Sequence, residues 1–114
     1  MVVFVPPFRD PFNYNYSPIV MNELQEVGAA MHSRLVAEDK AGSGARSAAP
    51  YSTWHNGMVR SVAYFHNSIG LLTEIIGGPT PEKIPLIPQT QLARNDETLP
   101  IGPRDWHLKD SLEY

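Results

Sequence analysis

The stretch Gly70-Leu71-Leu72-Thr73-Glu74-Ile75-Ile76-Gly77 is a short apolar run that contains a single carboxylate. Its length and its bounding glycines favour a β-strand over a helix. Because alternate side chains of a strand point to opposite faces, Glu74 is expected to share a face with Leu72 and Ile76. Both faces are apolar apart from Thr73 and Glu74, which is typical of a central strand covered by helices.

Glu74 is the residue of this strand that requires an explanation. A charge buried alone costs free energy, so its carboxylate must be solvated, paired with a basic group or used in chemistry. In the last case it is a general base or general acid in apolar surroundings. The spacing of the residues leaves these alternatives open.

A strand signal and a helix signal precede this stretch. Residues 2–5 form an apolar β-type run, and the two prolines that follow cannot continue a sheet ladder. Ser17 is a good N-cap and Pro18 suits the first helical position. Apolar residues then recur every three or four positions, which predicts an amphipathic helix over about residues 18–38.

The rest of the chain alternates loops with shorter elements. Residues 41–50 are small and unpatterned, which predicts an exposed loop. A second amphipathic helix is expected over about 57–68, with Met58, Val62 and Phe65 on its apolar face. Six prolines between residues 79 and 103 predict an extended surface segment, and a short final helix is expected near the C-terminus.

The order strand, helix, loop, helix, strand predicts an α/β fold. We expect residues 1–114 to form one unit, a partial three-layer fold in which a central mixed sheet is covered by helices. The apolar run that starts directly after Met1 resembles an internal strand that has been cut open. This predicts that the chain is a fragment of a longer domain.

Composition argues against several classes of partner. The 114 residues carry a formal net charge of −3 and no basic run, so nucleic acid and anionic membranes are not expected partners. The chain has no cysteine, which excludes disulfides, thiolate zinc sites and cysteine nucleophiles. No apolar stretch approaches the roughly 20 residues of a membrane span.

The four histidines give no metal signal. His32, His55, His66 and His107 do not form H-x-x-x-H, H-E-x-x-H or H-x-x-E, so no local pair of ligands is expected. No G-x-S-x-G nucleophile elbow and no phosphate-binding glycine loop is present either.

The segment Tyr51-Ser52-Thr53-Trp54-His55-Asn56-Gly57 concentrates aromatic and hydrogen-bonding side chains before a predicted helix. Such a loop is suited to present Tyr51 to a ligand. The structural alternative is that Trp54 fills the core and that the neighbouring residues cap the helix.

Three segments resemble the C-terminal part of bacterial zinc carboxypeptidases of the carboxypeptidase A superfamily. They are residues 51–57, residues 63–77 (Ala-Tyr-Phe-His-Asn-Ser-Ile-Gly-Leu-Leu-Thr-Glu-Ile-Ile-Gly) and residues 4–11 (Phe-Val-Pro-Pro-Phe-Arg-Asp-Pro). In that family a glutamate on a late strand activates the attacking water and then protonates the leaving amine. The resemblance implies this role for Glu74. It also implies that Tyr51 is the tyrosine that covers the substrate's terminal residue.

The same resemblance implies zinc as cofactor, a peptide or protein as substrate, and export to the periplasm or outside the cell. The family's zinc ligands, an H-x-x-E pair and a later histidine, precede the catalytic glutamate, and this chain lacks that motif. We therefore expect the isolated chain to be an inactive portion of a hydrolase. The alternative is a non-enzymatic interaction or scaffold domain in which Glu74 pairs with a basic group and residues 51–57 bind a partner.

Overall fold

A computed structural model describes residues 3–6, 11–45, 52–55, 57, 59–91, 97–98 and 101–114. In chain order, the elements are β1 (Val3–Phe4), α1 (Pro18–Ala37), β2 (Ser43–Ala45), α2 (Val59–Val62), a 3-10 turn (Ala63–His66), β3 (Glu74–Ile75), β4 (Glu82–Ile84), α3 (Pro88–Gln91), β5 (Glu97–Thr98), β6 (Arg104–Trp106) and α4 (Leu108–Leu112).

The larger sheet has four short strands in the order β3-β1-β2-β5. Strands β1 and β2 are parallel and are connected through α1, whereas β3 and β5 run antiparallel to their neighbours. A parallel pair needs a long crossover, and α1 supplies it. The α/β class is therefore confirmed, with a mixed sheet.

Helix α1 confirms the prediction for residues 18–38 to within one residue at its C-terminal end. It begins after Ser17, although the Ser17 side chain makes no capping hydrogen bond, and Pro18 occupies the first turn. Its buried positions include Leu24 and Gly28. The buried glycine allows this helix to lie close to the sheet, because glycine has no side chain to hold the surfaces apart.

The main core cluster lies between α1 and the segment around the 3-10 turn. Its buried members are aromatic or aliphatic: Tyr16, Val20, Met21, Leu24 and Tyr64. Tyr16 and Tyr64 meet edge to face with ring centroids 5.1 Å apart. The Tyr64 hydroxyl donates to the Gly70 carbonyl at 2.8 Å, so this ring also fixes the start of the segment that leads to β3.

The prediction of an exposed loop over residues 41–50 is wrong for its first half, because β2 occupies Ser43–Ala45. These residues are buried and β2 lies between β1 and β5. Small side chains gave no apolar periodicity, but they allow a strand to lie beneath a closely packed helix. Residues 46–50 lie outside the described part of the chain.

The second helix is shorter than expected and its buried face is different. α2 covers Val59–Val62 and passes directly into the 3-10 turn. Val62 and Phe65, which were expected on the buried face, are exposed, whereas Ser61 and Tyr64 are buried. The change from 3.6 to 3 residues per turn rotates the later side chains away from the predicted stripe.

A second unit is built from β4 and β6, which form an antiparallel ribbon. Its core cluster contains Ile84, Ile101 and Trp106, with Ile76 and Tyr114 packed against it. The expected extended segment at 79–103 is thus partly organised, because it contains β4, α3 and β5. Among the described residues, no helix is both long and apolar enough to cross a bilayer.

Candidate functional site

Glu74 lies on a strand, as expected, but this strand is two residues long and lies at an edge of the sheet. The prediction of a central strand covered on both faces is therefore wrong for the described structure. Glu74 is paired in register with Phe4 of β1, and Ile75 with Val3. Both residues of β3 are exposed, so the carboxylate of Glu74 is accessible to solvent.

The two faces of β3 differ in their surroundings. Thr73 and Ile75 line a cavity of about 380 Å³ together with residues of β1 and α1, among them Val3 and Leu35. Because side chains alternate along a strand, Glu74 projects from the opposite face of the sheet. The carboxylate is thus separated by the sheet from the apolar cavity beneath α1.

No basic group pairs with Glu74 among the residues that the structure describes. The ion pairs found there join Arg34 to Glu38, Lys83 to Asp105 and Arg104 to Asp110, and His107 also lies 3.6 Å from Asp110. Of the three explanations considered for Glu74, the described residues show a solvent-exposed side chain and no salt bridge to it.

Tyr51 lies outside the described residues, so its predicted role stays a prediction. The described part of the same loop begins at Ser52. Trp54 does not fill the core, as the structural alternative required, because 46% of its surface is exposed. Its indole Nε1 donates to the Pro11 carbonyl at 2.8 Å, and its ring meets Tyr14 edge to face at 5.2 Å.

Thr53 fixes this loop to the segment that precedes α1. The backbone N–H of Asn13 donates to the Thr53 hydroxyl at 2.9 Å. The Tyr16 hydroxyl donates to the Thr53 carbonyl at 2.6 Å. Because Asn13, Tyr16 and Thr53 are all buried, these bonds hold the loop in one position beneath the exposed Trp54. Sequence reasoning missed this network, since its partners are about 40 residues apart and carry no common motif.

The described residues do not fit a zinc site. No three histidine, cysteine, aspartate or glutamate side chains in the described ranges lie close enough together to hold an ion. His55, His66 and His107 are exposed, and His32 is half-buried within α1.

A polar cluster at the start of α4 was also missed. Asp110 accepts a hydrogen bond from the His107 backbone N–H at 2.6 Å and another from the Arg104 guanidinium at 2.9 Å. The bond from His107 and the charge of Arg104 lower the pKa of Asp110 below its usual 3.8, against the opposing effect of burial. The signal available in the sequence was the spacing of His107 and Asp110, which is that of a helix cap and its partner three residues later.

No protein-family model, curated protein or solved structure matches this sequence. The resemblance to zinc carboxypeptidases therefore stays a prediction from residues 4–11, 51–57 and 63–77. A function for the chain has to rest on those segments and on the position of Glu74.

Proposed function

We propose that this chain is a C-terminal portion of a zinc metallocarboxypeptidase, and that Glu74 is the carboxylate that assists hydrolysis of the peptide bond. The proposal is carried by the resemblance of residues 4–11, 51–57 and 63–77 to that family, within which Glu74 falls at the family's strand glutamate. The side chain of Glu74 is exposed, forms no ion pair within the described ranges and projects from a sheet strand on the face away from α1. A sheet holds a catalytic group more precisely than a loop does.

The chemistry asked of Glu74 is proton transfer in both directions. Its carboxylate accepts a proton from the water that attacks the peptide carbonyl, and then delivers that proton to the departing amine. A single carboxylate can serve as base and then as acid, because each step leaves it in the state that the next step requires. The substrate is a peptide or protein cleaved at its C-terminal end.

The proposal includes a zinc ion, but the described residues do not form a site that fits one. Its ligands would be supplied by polypeptide outside residues 1–114, in the other part of a three-layer carboxypeptidase fold. A zinc ion in such a domain supplies Lewis acidity and lowers the pKa of water. A periplasmic or extracellular location is part of the same proposal.

The isolated chain should be inactive. We expect no hydrolysis of peptides with a free C-terminus when the purified chain is supplied with zinc, because Glu74 alone cannot generate the nucleophile. The measurement is release of the C-terminal amino acid, with and without a chelator. Turnover that the chelator abolishes would overturn the assignment of this chain as an incomplete enzyme.

Glu74 itself is tested in a longer polypeptide that joins this sequence to a segment containing H-x-x-E and a later histidine. Glu74→Gln should lower kcat by about 10²–10⁴-fold while zinc content and the unfolding transition are kept. Glu113→Gln, at the exposed residue that follows α4, is the matched control and should leave kcat unchanged. A near-normal kcat in Glu74→Gln would contradict the assignment.

One observation favours the second candidate, a non-enzymatic interaction domain. Trp54 and Tyr14 form an exposed aromatic pair on a loop held by buried hydrogen bonds, and aromatic groups of this kind are frequent in binding surfaces. The gene sequence preceding the codon for Met1 separates the two candidates. A continuous reading frame that encodes H-x-x-E favours the enzyme, and an unrelated gene favours the interaction domain.

A further inference from the structure

The cavity beneath α1 is a feature that neither candidate function uses. Its volume is about 380 Å³, and it lies across the sheet from the side chain of Glu74. Sites for small organic molecules enclose roughly 300–1,000 Å³, so the space suits a molecule at the lower end of that range. A ligand in this cavity is therefore separate from the hydrolysis proposed for Glu74.

The walls of the cavity are aliphatic. The strand side is formed by Val3, Val5 and Ile75, and the helix side by Met31 and Leu35. Val3 and Val5 are buried, whereas Met31 and Leu35 are half-buried. None of these five side chains carries a charge or a strong hydrogen-bonding group. A hydrocarbon chain that displaces water from them is therefore stabilised by the hydrophobic effect.

A cation borders these apolar walls. Arg34 lines the same cavity and its side chain is 77% exposed, so its guanidinium lies where the cavity opens to solvent. Arg34 also forms an i,i+4 ion pair with Glu38. An exposed pair of this kind contributes little, and a guanidinium has several N–H donors, so it can bind a second carboxylate. Positive charge beside an aliphatic cavity favours a ligand with an anionic head group.

Ser111 adds a neutral hydrogen-bond donor. It lines the cavity from α4, and its Oγ accepts the hydrogen bond of the Trp106 indole at 2.9 Å. Because that bond uses a lone pair of the hydroxyl, the hydrogen of Ser111 can be donated to a ligand oxygen. The hydroxyl of Tyr114, which also lines the cavity, already donates to the Ala41 carbonyl. A carboxylate therefore meets a cationic donor and a neutral one along the lining.

We propose that the cavity beneath α1 binds a medium-chain aliphatic carboxylate. The hydrocarbon chain lies against the walls from β1, β3 and α1, and the carboxylate binds Arg34 at the opening. The charge of Arg34 distinguishes this ligand from a neutral hydrocarbon or alcohol. The inference goes beyond the proposed hydrolysis and does not depend on it, because it requires neither zinc nor Glu74.

The first test is isothermal titration of the full chain with butanoate, hexanoate and octanoate, each below the concentration at which micelles form. Each added methylene should lower Kd about fourfold, the factor that corresponds to the burial of one CH₂, until the cavity is filled. Absence of saturable binding, or one Kd for all three chain lengths, would overturn the proposal.

The role of Arg34 is tested with octanoate and its uncharged analogue 1-octanol. Arg34→Gln should raise the Kd for octanoate roughly fivefold to tenfold, between the effects of an exposed ion pair and a charged hydrogen bond. It should leave the Kd for octanol unchanged. Glu38→Gln should lower the Kd for octanoate, because it removes the carboxylate that competes for the guanidinium.

Lys83→Gln is the matched control for Arg34. It removes the same charge at an exposed residue of β4 and should change neither Kd. Equal effects of Lys83→Gln and Arg34→Gln on octanoate would overturn the proposal, because binding would then follow net charge rather than the cavity.

Leu35→Trp tests where the ligand lies. The larger ring at this lining position should fill the cavity and abolish measurable binding of octanoate. Val36→Trp, at the next residue, whose side chain is 46% exposed, is the control and should bind as the parent does. Circular dichroism verifies that both variants keep the helix, and the comparison of Arg34 with Lys83 decides if Leu35→Trp does not fold. A parent that binds no carboxylate, with self-association that Leu35→Trp abolishes, would assign the cavity to a second copy and overturn the proposal.

Discussion

At the scale of single residues, Gly102 is a position where the backbone conformation and the surrounding atoms leave no room for a side chain. Its φ is +123°, and a Cβ there would lie 2.8 Å from the backbone nitrogen of Leu86. Gly102→Ala should therefore destabilise the β4-β6 ribbon by about 1–3 kcal/mol, as strained positions of this kind do. Urea unfolding measures the loss. Gly77→Ala is the control, because a Cβ there would meet nothing nearer than 3.9 Å; equal stability of both variants would contradict the prediction.

Asp110 should make the free energy of unfolding depend on pH in the acid range. Because its pKa is lowered in the folded state, chiefly by the His107 backbone bond, its contribution is present above pH 3.8 and is lost as pH falls below that value. Asp110→Asn should unfold more readily at neutral pH and should lose less stability than the parent on acidification. Denaturant midpoints over the acid range measure this.

Asp105→Asn is the matched control for Asp110. Its carboxylate lies 3.9 Å from Lys83, and both side chains are largely exposed, so little stability should be lost. If the two asparagine variants showed the same dependence on pH, the cluster at the start of α4 would not be responsible for the effect.

At the scale of elements, Tyr114 joins the β4-β6 ribbon to the turn between α1 and β2. Its hydroxyl donates to the Ala41 carbonyl at 2.5 Å, and its ring meets Trp106 edge to face at 5.2 Å. Tyr114→Phe keeps the ring and removes the hydrogen bond. We expect a loss of roughly 0.5–1.5 kcal/mol in the free energy of unfolding, measured in urea. Tyr14→Phe, at an exposed ring, should change nothing.

Tyr114 should also make the stability of the fold depend on pH in alkali. Burial raises the pKa of its phenol above 10.0, so the folded state favours the neutral form. This contribution is present below pH 10.0 and is lost as pH rises through the raised pKa, where the phenolate can no longer donate to Ala41. The parent should therefore lose more stability in alkali than Tyr114→Phe. An identical alkaline loss in both proteins would contradict this.

The elements differ in how well the sequence predicted them. Helix α1 was predicted closely, because its apolar residues keep one period over twenty positions. β2 was missed because Ser43, Gly44 and Ala45 carry no pattern, and their strand structure depends on neighbours distant in the chain. α2 was predicted too long, since hydrophobic spacing does not show where an α-helix tightens into a 3-10 turn. Both outcomes depend on tertiary packing, which a local sequence pattern does not show.

At the candidate site, too, some features were predicted from the sequence and others were not. Glu74 was identified from its contrast with apolar neighbours, and it does lie on a strand, but that strand covers only Glu74–Ile75 of the predicted run. Its exposure was not predicted, because burial depends on where β3 lies in the sheet and a two-residue edge strand leaves one side open. The contacts of Thr53 and Asp110 were missed, because hydrogen bonds between distant or ordinary polar residues leave no periodic signal.

At the scale of the whole molecule, β3 leaves one edge of the described sheet unpaired and places Ile75 there with 38% of its surface exposed. Open apolar edges promote association between chains. We expect the isolated chain to associate as its concentration rises, and Ile75→Lys to reduce this because a charged edge strand resists pairing. Sedimentation velocity over a concentration series measures it.

Val36→Lys is the control for the edge, since Val36 is an exposed apolar residue of α1 and lies outside the sheet. It should leave association unchanged. A parent chain that remains monomeric and melts cooperatively at every concentration would contradict both the prediction for the edge and the fragment proposal.

The bonds between Thr53 and the segment around Asn13 also bear on how the chain folds. They connect residues 40 positions apart, with the whole of α1 and β2 between them. Closing a loop of that length costs conformational entropy before its contacts are gained, whereas α1 forms from local contacts alone. We therefore expect the position of Trp54 to be fixed late in folding, after α1 has formed and brought residues 13 and 53 together.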